Sequence, residues 1–417
     1  MRVIMLSWEY PPKSVGGLAQ HVFDLTKALA EIGEEVHLVT IGSNDAPDFE
    51  TVNGVKVYRV YPYNVSSLDF ANWVTQLNVA ILEKAVSVMN DIGNFHIVHG
   101  HDWLVAYAAR ALKHAFRIPL VATIHATEYG RNYGLHNNMQ RHISDVEWWL
   151  IYESWKVICC SKYMRGELQC VFQVPDDKLS IIPNGVNTDA FRMKSNNYNR
   201  GEYASPNEQI VLYVGRLVRE KGVQVFIDAM PHILKYRPAT KFIIAGKGPH
   251  QNDLRNQSAA LGVSDRVYFT GYVNDELRNS LYNWADVAVI PSLYEPFGIV
   301  ALEAMAAGTP LVISDTGGLS EIIQHRVDGL KAYTGNSQSL ADMVIWMLND
   351  RSMAEKMKNK AFEKVRKEYS WTEIARQTRE TYRDILDSRR NAAWYHSAER
   401  EGGHIFDRVT KLFARTS

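Results

Sequence analysis

The chain has 417 residues, too many for one ordinary hydrophobic core, so two domains are expected. Hydrophobic residues make up 46% and charged residues 22%, the composition of a globular protein. Lys plus Arg and Asp plus Glu both total 46, so the formal net charge is zero, which removes the electrostatic case for nucleic acid as the main partner.

In chain order, residues 3–6 read as a buried strand. Glu9 and Pro11-Pro12 interrupt the apolar run, so it is not a secretory leader. Gly16-Gly17 opens a helix over 18–31, ended near Gly33, and strands follow at 36–40, 55–60 and 97–99. A helix from about residue 104 leads to strands at 120–124, 157–160 and 179–182. Residues 192–207, rich in Asn, Ser and Arg, read as a linker. The rhythm restarts with strands at 210–214, 242–245, 267–269, 287–290 and 311–313. After Leu330 the pattern turns helical, over 339–348 and 353–369, and residues 388–417 form a polar tail expected to be partly ordered at most.

Val- and Ile-rich runs alternating with amphipathic segments predict an α/β protein with parallel sheets. Two doubly wound, Rossmann-like domains are expected, over 1–191 and 208–370, facing each other across a cleft. In such sheets ligands bind at the carboxyl ends of the strands, so the loops there are where chemistry is sought. No run approaches the roughly 20 apolar residues of a membrane span. Cys159, Cys160 and Cys170 have neither the number nor the spacing of a zinc site or disulfide framework. They read as buried thiols in a reducing cytoplasm, the location expected for the chain.

Three loops carry candidate donor-side residues. Lys13-Ser14-Val15-Gly16-Gly17 lies between a strand and a helix, where glycines admit a ligand to the backbone and the helix N-terminus suits phosphate. A tight turn with no ligand explains the same residues. Gly215 to Gly222 places Arg216 and Lys221 after the first strand of the second domain, suited to clamping and neutralising a diphosphate, or to forming a solvated basic loop.

The most specific segment is Glu295-Pro296-Phe297-Gly298-Ile299-Val300-Ala301-Leu302-Glu303. Glu295 precedes a helix and Glu303 lies within it, roughly 10 Å apart at about 1.5 Å per residue. That span suits opposite ends of a nucleotide-sugar: Glu303 accepts from ribose hydroxyls, Glu295 meets the transferred sugar, and the N–H groups near Gly298, Ile299 and Val300 point at phosphate. An acid before a helix and an exposed acid within it is the plain alternative. Gly246 and Gly248, with Gly271-Tyr272, form weaker glycine turns at strand ends.

On the acceptor side, His99-Gly100-His101-Asp102-Trp103 follows a strand and His125 ends the next, close to Glu128. Without Cys or clustered carboxylates to complete a shell, no metal is expected. His101 and Asp102 are expected to bond sugar hydroxyls, and Trp103 to pack on a sugar face. Trp148, Trp149 and Trp155 read as core packing.

Taken in order, K-S-V-G-G-L, H-D-W, T-I-H-A-T-E, P-N-G-V-N-T-D, V-G-R-L-V-R-E-K-G, G-K-G-P and E-P-F-G-I-V-A-L-E-A-M-A-A-G-T-P resemble the retaining GT-B glycosyltransferases, which include bacterial glycogen synthases and sucrose-phosphate synthases. The resemblance covers residues 1–382. It implies that Gly16 and Gly17 contact the donor phosphate, and that Arg216 and Lys221 stabilise the departing diphosphate. His125 then lies beside the transferred sugar, Glu295 near the reaction centre, Glu303 on the ribose and Tyr272 near the base. A helix over 371–387 would cross back to the first domain.

The resemblance also implies a co-substrate, the nucleotide-sugar, rather than a cofactor, and no divalent metal. A-T-E-Y-G-R-N-Y-G after His125 looks like α-glucan synthases, pointing to glucose from ADP- or UDP-glucose. A small sugar, sugar phosphate or lipid-linked glycan is the alternative acceptor, and a non-catalytic nucleotide-sugar or glucan binding protein the alternative function. Asn187 departs from the Asp frequent in the family, which touches a turn.

Overall fold

The computed structural model describes residues 1–390 except 15, 64, 66–68 and 192–196; the expected tail beyond residue 390 and the first part of the expected linker lie outside the described residues. The chain divides into two compact units. One comprises Met1–Cys159, Leu168–Ile182 and the chain from Ala375 on; the other comprises Cys160–Glu167 and Pro183–Ile374.

The first unit holds β1 (Arg2–Leu6), β2 (Glu35–Ile41), β3 (Phe49–Val52), β4 (Val55–Val60), β5 (Ile97–His101), β6 (Leu120–Ile124), β7 (Lys156–Cys159) and β8 (Leu179–Ile181). They form one sheet in the order β3-β4-β2-β1-β5-β6-β7-β8, parallel except where β3 meets β4. Val3 to Leu6, Ile97 to His101 and Leu120 to Ile124 are buried throughout, as strands covered by helices on both faces must be. β1 pairs with β2 on one side and β5 on the other, so the strand order reverses there. β5 and the loops after β1 and β6 carry the expected histidines and the Lys13 to Gly17 segment.

The second unit holds β9 (Gln209–Val214), β10 (Thr240–Ala245), β11 (Val267–Gly271), β12 (Val287–Ile290), β13 (Leu311–Ser314) and β14 (Leu330–Ala332). Their order, β11-β10-β9-β12-β13-β14, is the doubly wound order with its switch point between β9 and β12. Every pair is parallel. The loops leaving β9 and β12 carry Arg216 with Lys221 and Glu295 with Gly298. The architecture is α/β with two Rossmann-like domains.

Two strands were not anticipated. β3 sits at a sheet edge with alternating exposure, and joins β4 through Asn53-Gly54, both at positive φ (50° and 81°), a two-residue hairpin turn. β14 has only three residues, too short for its pattern to separate from the helices after it. Cys159 and Cys160 are buried, but Cys170 is exposed, against expectation. Among the described residues no helix is long and apolar enough to cross a membrane.

Candidate active site

In the second unit, Lys221 ends a short turn after β9 and donates from Nζ to Glu295 Oε2 at 2.6 Å. Ser292, buried, donates to the same oxygen at 3.0 Å. Glu295 is itself 8% exposed, and its backbone carbonyl accepts from Gly318 N at 2.9 Å. A carboxylate so buried needs these donors, because leaving it unpaired costs several kcal/mol on the order given for buried charges. Arg216 differs: its side chain is half exposed and, among the described residues, its one carboxylate contact is a loose 3.8 Å approach to Glu220. It is free to close on an anion.

Gly298 caps the helix Ile299–Ala307 with φ of 117° and no side chain to satisfy the first turn. The N–H groups of Ile299 and Val300 have no intrahelical acceptor at that end, which leaves a positive dipole terminus beside the loop of Glu295. One turn further along the helix, Glu303 is mostly buried. Tyr282 donates to its Oε2 at 3.1 Å and Arg278 lies 3.6 Å from its Oε1. Burial pushes the Glu303 carboxyl up, and Arg278 and Tyr282 pull it back. Arg278 is in turn raised: burial lowers it, but Glu303 and Asp275 outweigh that. Tyr272 also faces Arg278 electrostatically and is 75% exposed, an aromatic ring presented to solvent.

Gly246 and Gly248 have a different explanation. A Cβ at Gly246 would lie 1.9 Å from the Gly215 carbonyl oxygen, and one at Gly248 2.2 Å from that of Leu217. Leu217 N donates to Lys247 O, and His250 N to Leu217 O. These glycines stitch the loops after β9 and β10 together, so backbone packing requires them whether or not a ligand approaches.

In the first unit, Lys13 is exposed and Gly17 is the first residue of the helix Gly17–Glu31. Gly16 has extended backbone, and a Cβ there would meet nothing within 4 Å. Its N–H donates to Glu9 Oε2 at 3.3 Å. The space beside this turn is open.

β5 and β6 bring the histidines together. His99 is fully buried, with its Nδ1 2.7 Å from the Tyr382 hydroxyl and its Nε2 2.7 Å from Thr123 Oγ1. His101 Nδ1 lies 3.2 Å from His125 Nε2. Asp102 accepts from His125 N at 2.8 Å, and burial pushes its carboxyl up to about 6. Burial also holds the His125 imidazole down at about 3. The loop is thus set by Asp102, and His125 is a neutral imidazole.

Trp103 is 6% exposed and packs edge-on against Phe70, so in this unit its ring is a packing element. Glu128 opens a short helix; its N–H donates to Glu147, and its Oε1 accepts from Asn132. Trp148, expected in the core, is instead 47% exposed and stacked on Tyr152 at 5.3 Å, because its position on the helix Asn138–Glu153 faces outward. Trp149 packs edge-on against Tyr107.

Sequence reasoning missed Arg278, Tyr282, Ser292, Glu147 and His21. Arg278 stands three residues after Asp275 on a helix, which reads as an ordinary surface pair. His21 lies about 80 residues before His101 in the chain, yet their rings are 5.5 Å apart.

The glycosyl transferases group 1 family matches residues 196–364, and glycosyltransferase family 4 matches residues 15–190. An uncharacterized glycosyltransferase of Methanocaldococcus jannaschii is 41% identical over 392 residues, 93% of this chain and 99% of that protein. Glycogen synthase of Mycobacterium tuberculosis is 35% identical over 397 residues, covering 92% and 94% of the two chains. The structure of sucrose-phosphate synthase from Thermosynechococcus elongatus superposes with a TM-score of 0.81 at 25% identity, over 93% of this chain and 99% of that one. Such similarity over nearly the whole length, on the same pair of parallel sheets, shows that the chain belongs to the group 1 glycosyltransferases, GT-B enzymes of the glycogen synthase and sucrose-phosphate synthase type.

Proposed function

We propose that this glycosyltransferase moves glucose, with retention of configuration, from ADP-glucose or UDP-glucose to an α-glucan, in the cytoplasm and without a divalent metal. The observation that carries the reading is the cationic set at the switch point of the second unit: Lys221 paired to buried Glu295, a half-exposed Arg216, and the uncapped helix start at Gly298. End-to-end likeness to a glycogen synthase supports the glucan.

Negative charge grows on the diphosphate as the glycosidic bond breaks. Arg216, Lys221 and the N–H groups of Ile299 and Val300 stabilise it there, and fixed donors of this kind supply the largest part of many rate enhancements. Glu303 takes the ribose hydroxyls and Tyr272 covers the base. In the first unit, the turn at Lys13, Gly16 and Gly17 gives phosphate contacts. His125 meets the transferred sugar, while His101, Asp102, Trp103 and Glu128 shape the acceptor side. Glu295, whose Oε2 is held by Lys221 and Ser292, orients the sugar and is not a covalent nucleophile. The acceptor attacks the face the diphosphate leaves, and the leaving phosphate takes its proton.

The test is nucleotide release by purified protein from ADP-glucose, UDP-glucose and other donors, each with and without maltooligosaccharides. Release from one glucose donor that needs the oligosaccharide and lengthens it is the expected result. Likeness to sucrose-phosphate synthase favours a second reading, a sugar-phosphate acceptor. Release that needs a hexose phosphate and ignores oligosaccharide selects that one. No release from any donor, with donor binding intact, selects a binding protein.

A further inference from the structure

We propose that His21, His101 and His125 form a binding site for one transition-metal ion of the zinc class, and that an ion held there blocks sugar transfer by occupying the ring of His125. The binding half stands on geometry alone; the blocking half rests on the role proposed above for His125.

Three separate elements each contribute one imidazole. His21 comes from the first turns of the helix after β1, His101 from the end of β5, and His125 from the end of β6. One ring nitrogen from each lies within 4.8 Å of the other two. Even at that limit, an equilateral triangle leaves each nitrogen about 2.8 Å from its centre, about 0.7 Å beyond the zinc–imidazole distance, within reach of small side-chain rotations. His101 Nδ1 and His125 Nε2, 3.2 Å apart, already have nearly the separation of two nitrogen ligands on a tetrahedral ion, about 3.4 Å.

The chemistry of the set fits too. His101 is 0% exposed, yet its Nε2 has no hydrogen-bond partner among the described residues. An all-imidazole set selects zinc, copper, nickel or cobalt over magnesium or calcium. The rings are packed from behind. His99 stacks on His101 at 4.4 Å and is itself pinned by Tyr382 and Thr123, while Asp102 fixes the backbone of His125. His125 keeps partial exposure, which gives an ion a way in and leaves a fourth position for water.

The experiment uses the full chain, stripped with chelator and dialysed. Zinc sulfate is titrated against wild type, His21→Gln and the surface control His142→Gln, with bound metal counted after equilibrium dialysis and cobalt chloride used as a visible-absorption probe. Wild type and His142→Gln are expected to hold one zinc per chain, with the intense absorption of tetrahedral cobalt. His21→Gln is expected to bind at least tenfold more weakly. Zinc should inhibit wild-type nucleotide release reversibly, and the zinc concentration that halves each protein's own zinc-free rate should rise in parallel with the loss of affinity in His21→Gln. If His21→Gln fails to fold by circular dichroism, His21→Phe fills the same space without a ligand atom. Absence of bound zinc in wild type, or equal affinity in the His21 variants, overturns the site. Binding without inhibition overturns only the blocking role. If no donor turns over at all, the dialysis and cobalt results still decide the site.

Discussion

Glu295 and Lys221 are the pair on which the proposed chemistry turns. Both were legible in the sequence because each sits in the loop after a strand at the switch point, where Pro, Gly and charged residues interrupt long apolar runs. Removing Lys221 leaves Glu295 buried with Ser292 as its remaining side-chain donor among the described residues, and removes the charge proposed to meet the departing diphosphate. Lys221→Ala and Arg216→Ala are therefore each expected to lower kcat by about 10²-fold or more, with a smaller change in KM, in steady-state nucleotide release. A change confined to KM would remove the transition-state role. Tyr272 behaves differently, since its ring is 75% exposed and proposed only to cover the base. Tyr272→Ala is expected to raise the donor KM several-fold, the effect of about 1 kcal/mol of lost stacking, and to leave kcat near wild type. Arg278 was not legible, because helical spacing from Asp275 gives a complete account of it until the fold brings Glu303 alongside.

Among the elements, the buried parallel strands were readable because a strand covered on both faces is apolar at nearly every position. β6 and β12 begin and end where their largely apolar runs do. β3 escaped because it is an edge strand with exposed alternate residues, although the Asn53-Gly54 pair between two alternating runs is a hairpin signal that was present. His21 escaped for a related reason. It lies on a helix, and no local spacing links it to His101 or His125. Glycine turns show how two similar motifs separate once the backbone is known. At Gly246 an added Cβ meets the Gly215 carbonyl at 1.9 Å with φ of 144°, so Gly246→Ala is expected to destabilise the protein by about 2 kcal/mol or more. At Gly16 the backbone is extended and the space empty, so Gly16→Ala is expected to change stability by less than about 0.5 kcal/mol. If the donor phosphate lies against that turn, Gly16→Ala raises the donor KM while its urea midpoint matches wild type. Loss of stability in Gly16→Ala would assign that glycine to folding instead.

For the molecule as a whole, a formal net charge of zero means that pH dependence comes from particular groups rather than from overall repulsion. Glu153 is the clearest. It ends the helix Asn138–Glu153, where a negative charge opposes the helix dipole, yet it is 9% exposed and fixed by three side chains of the helix Ala106–Phe116. Arg110 Nε lies at 2.9 Å, Lys113 Nζ at 2.8 Å and His114 Nε2 at 2.9 Å. Burial alone would raise its carboxyl, but the bonds from Lys113, His114 and Arg110 outweigh that and bring it down to about 2. The unfolded chain binds a proton at this position near pH 4.3, before the folded chain does. Its contribution is therefore complete above about pH 4.3 and is lost as pH falls from there towards 2, on the order of 2 kcal/mol in all. Glu153→Gln keeps the size of the side chain and removes the titration. Urea midpoints by circular dichroism at stepped pH are expected to show the variant less stable than wild type at pH 7, with the two curves converging below pH 3. Curves that stay parallel across that range would mean that Arg110, Lys113 and His114 hold Glu153 by geometry alone and that its charge contributes nothing to holding the two helices together.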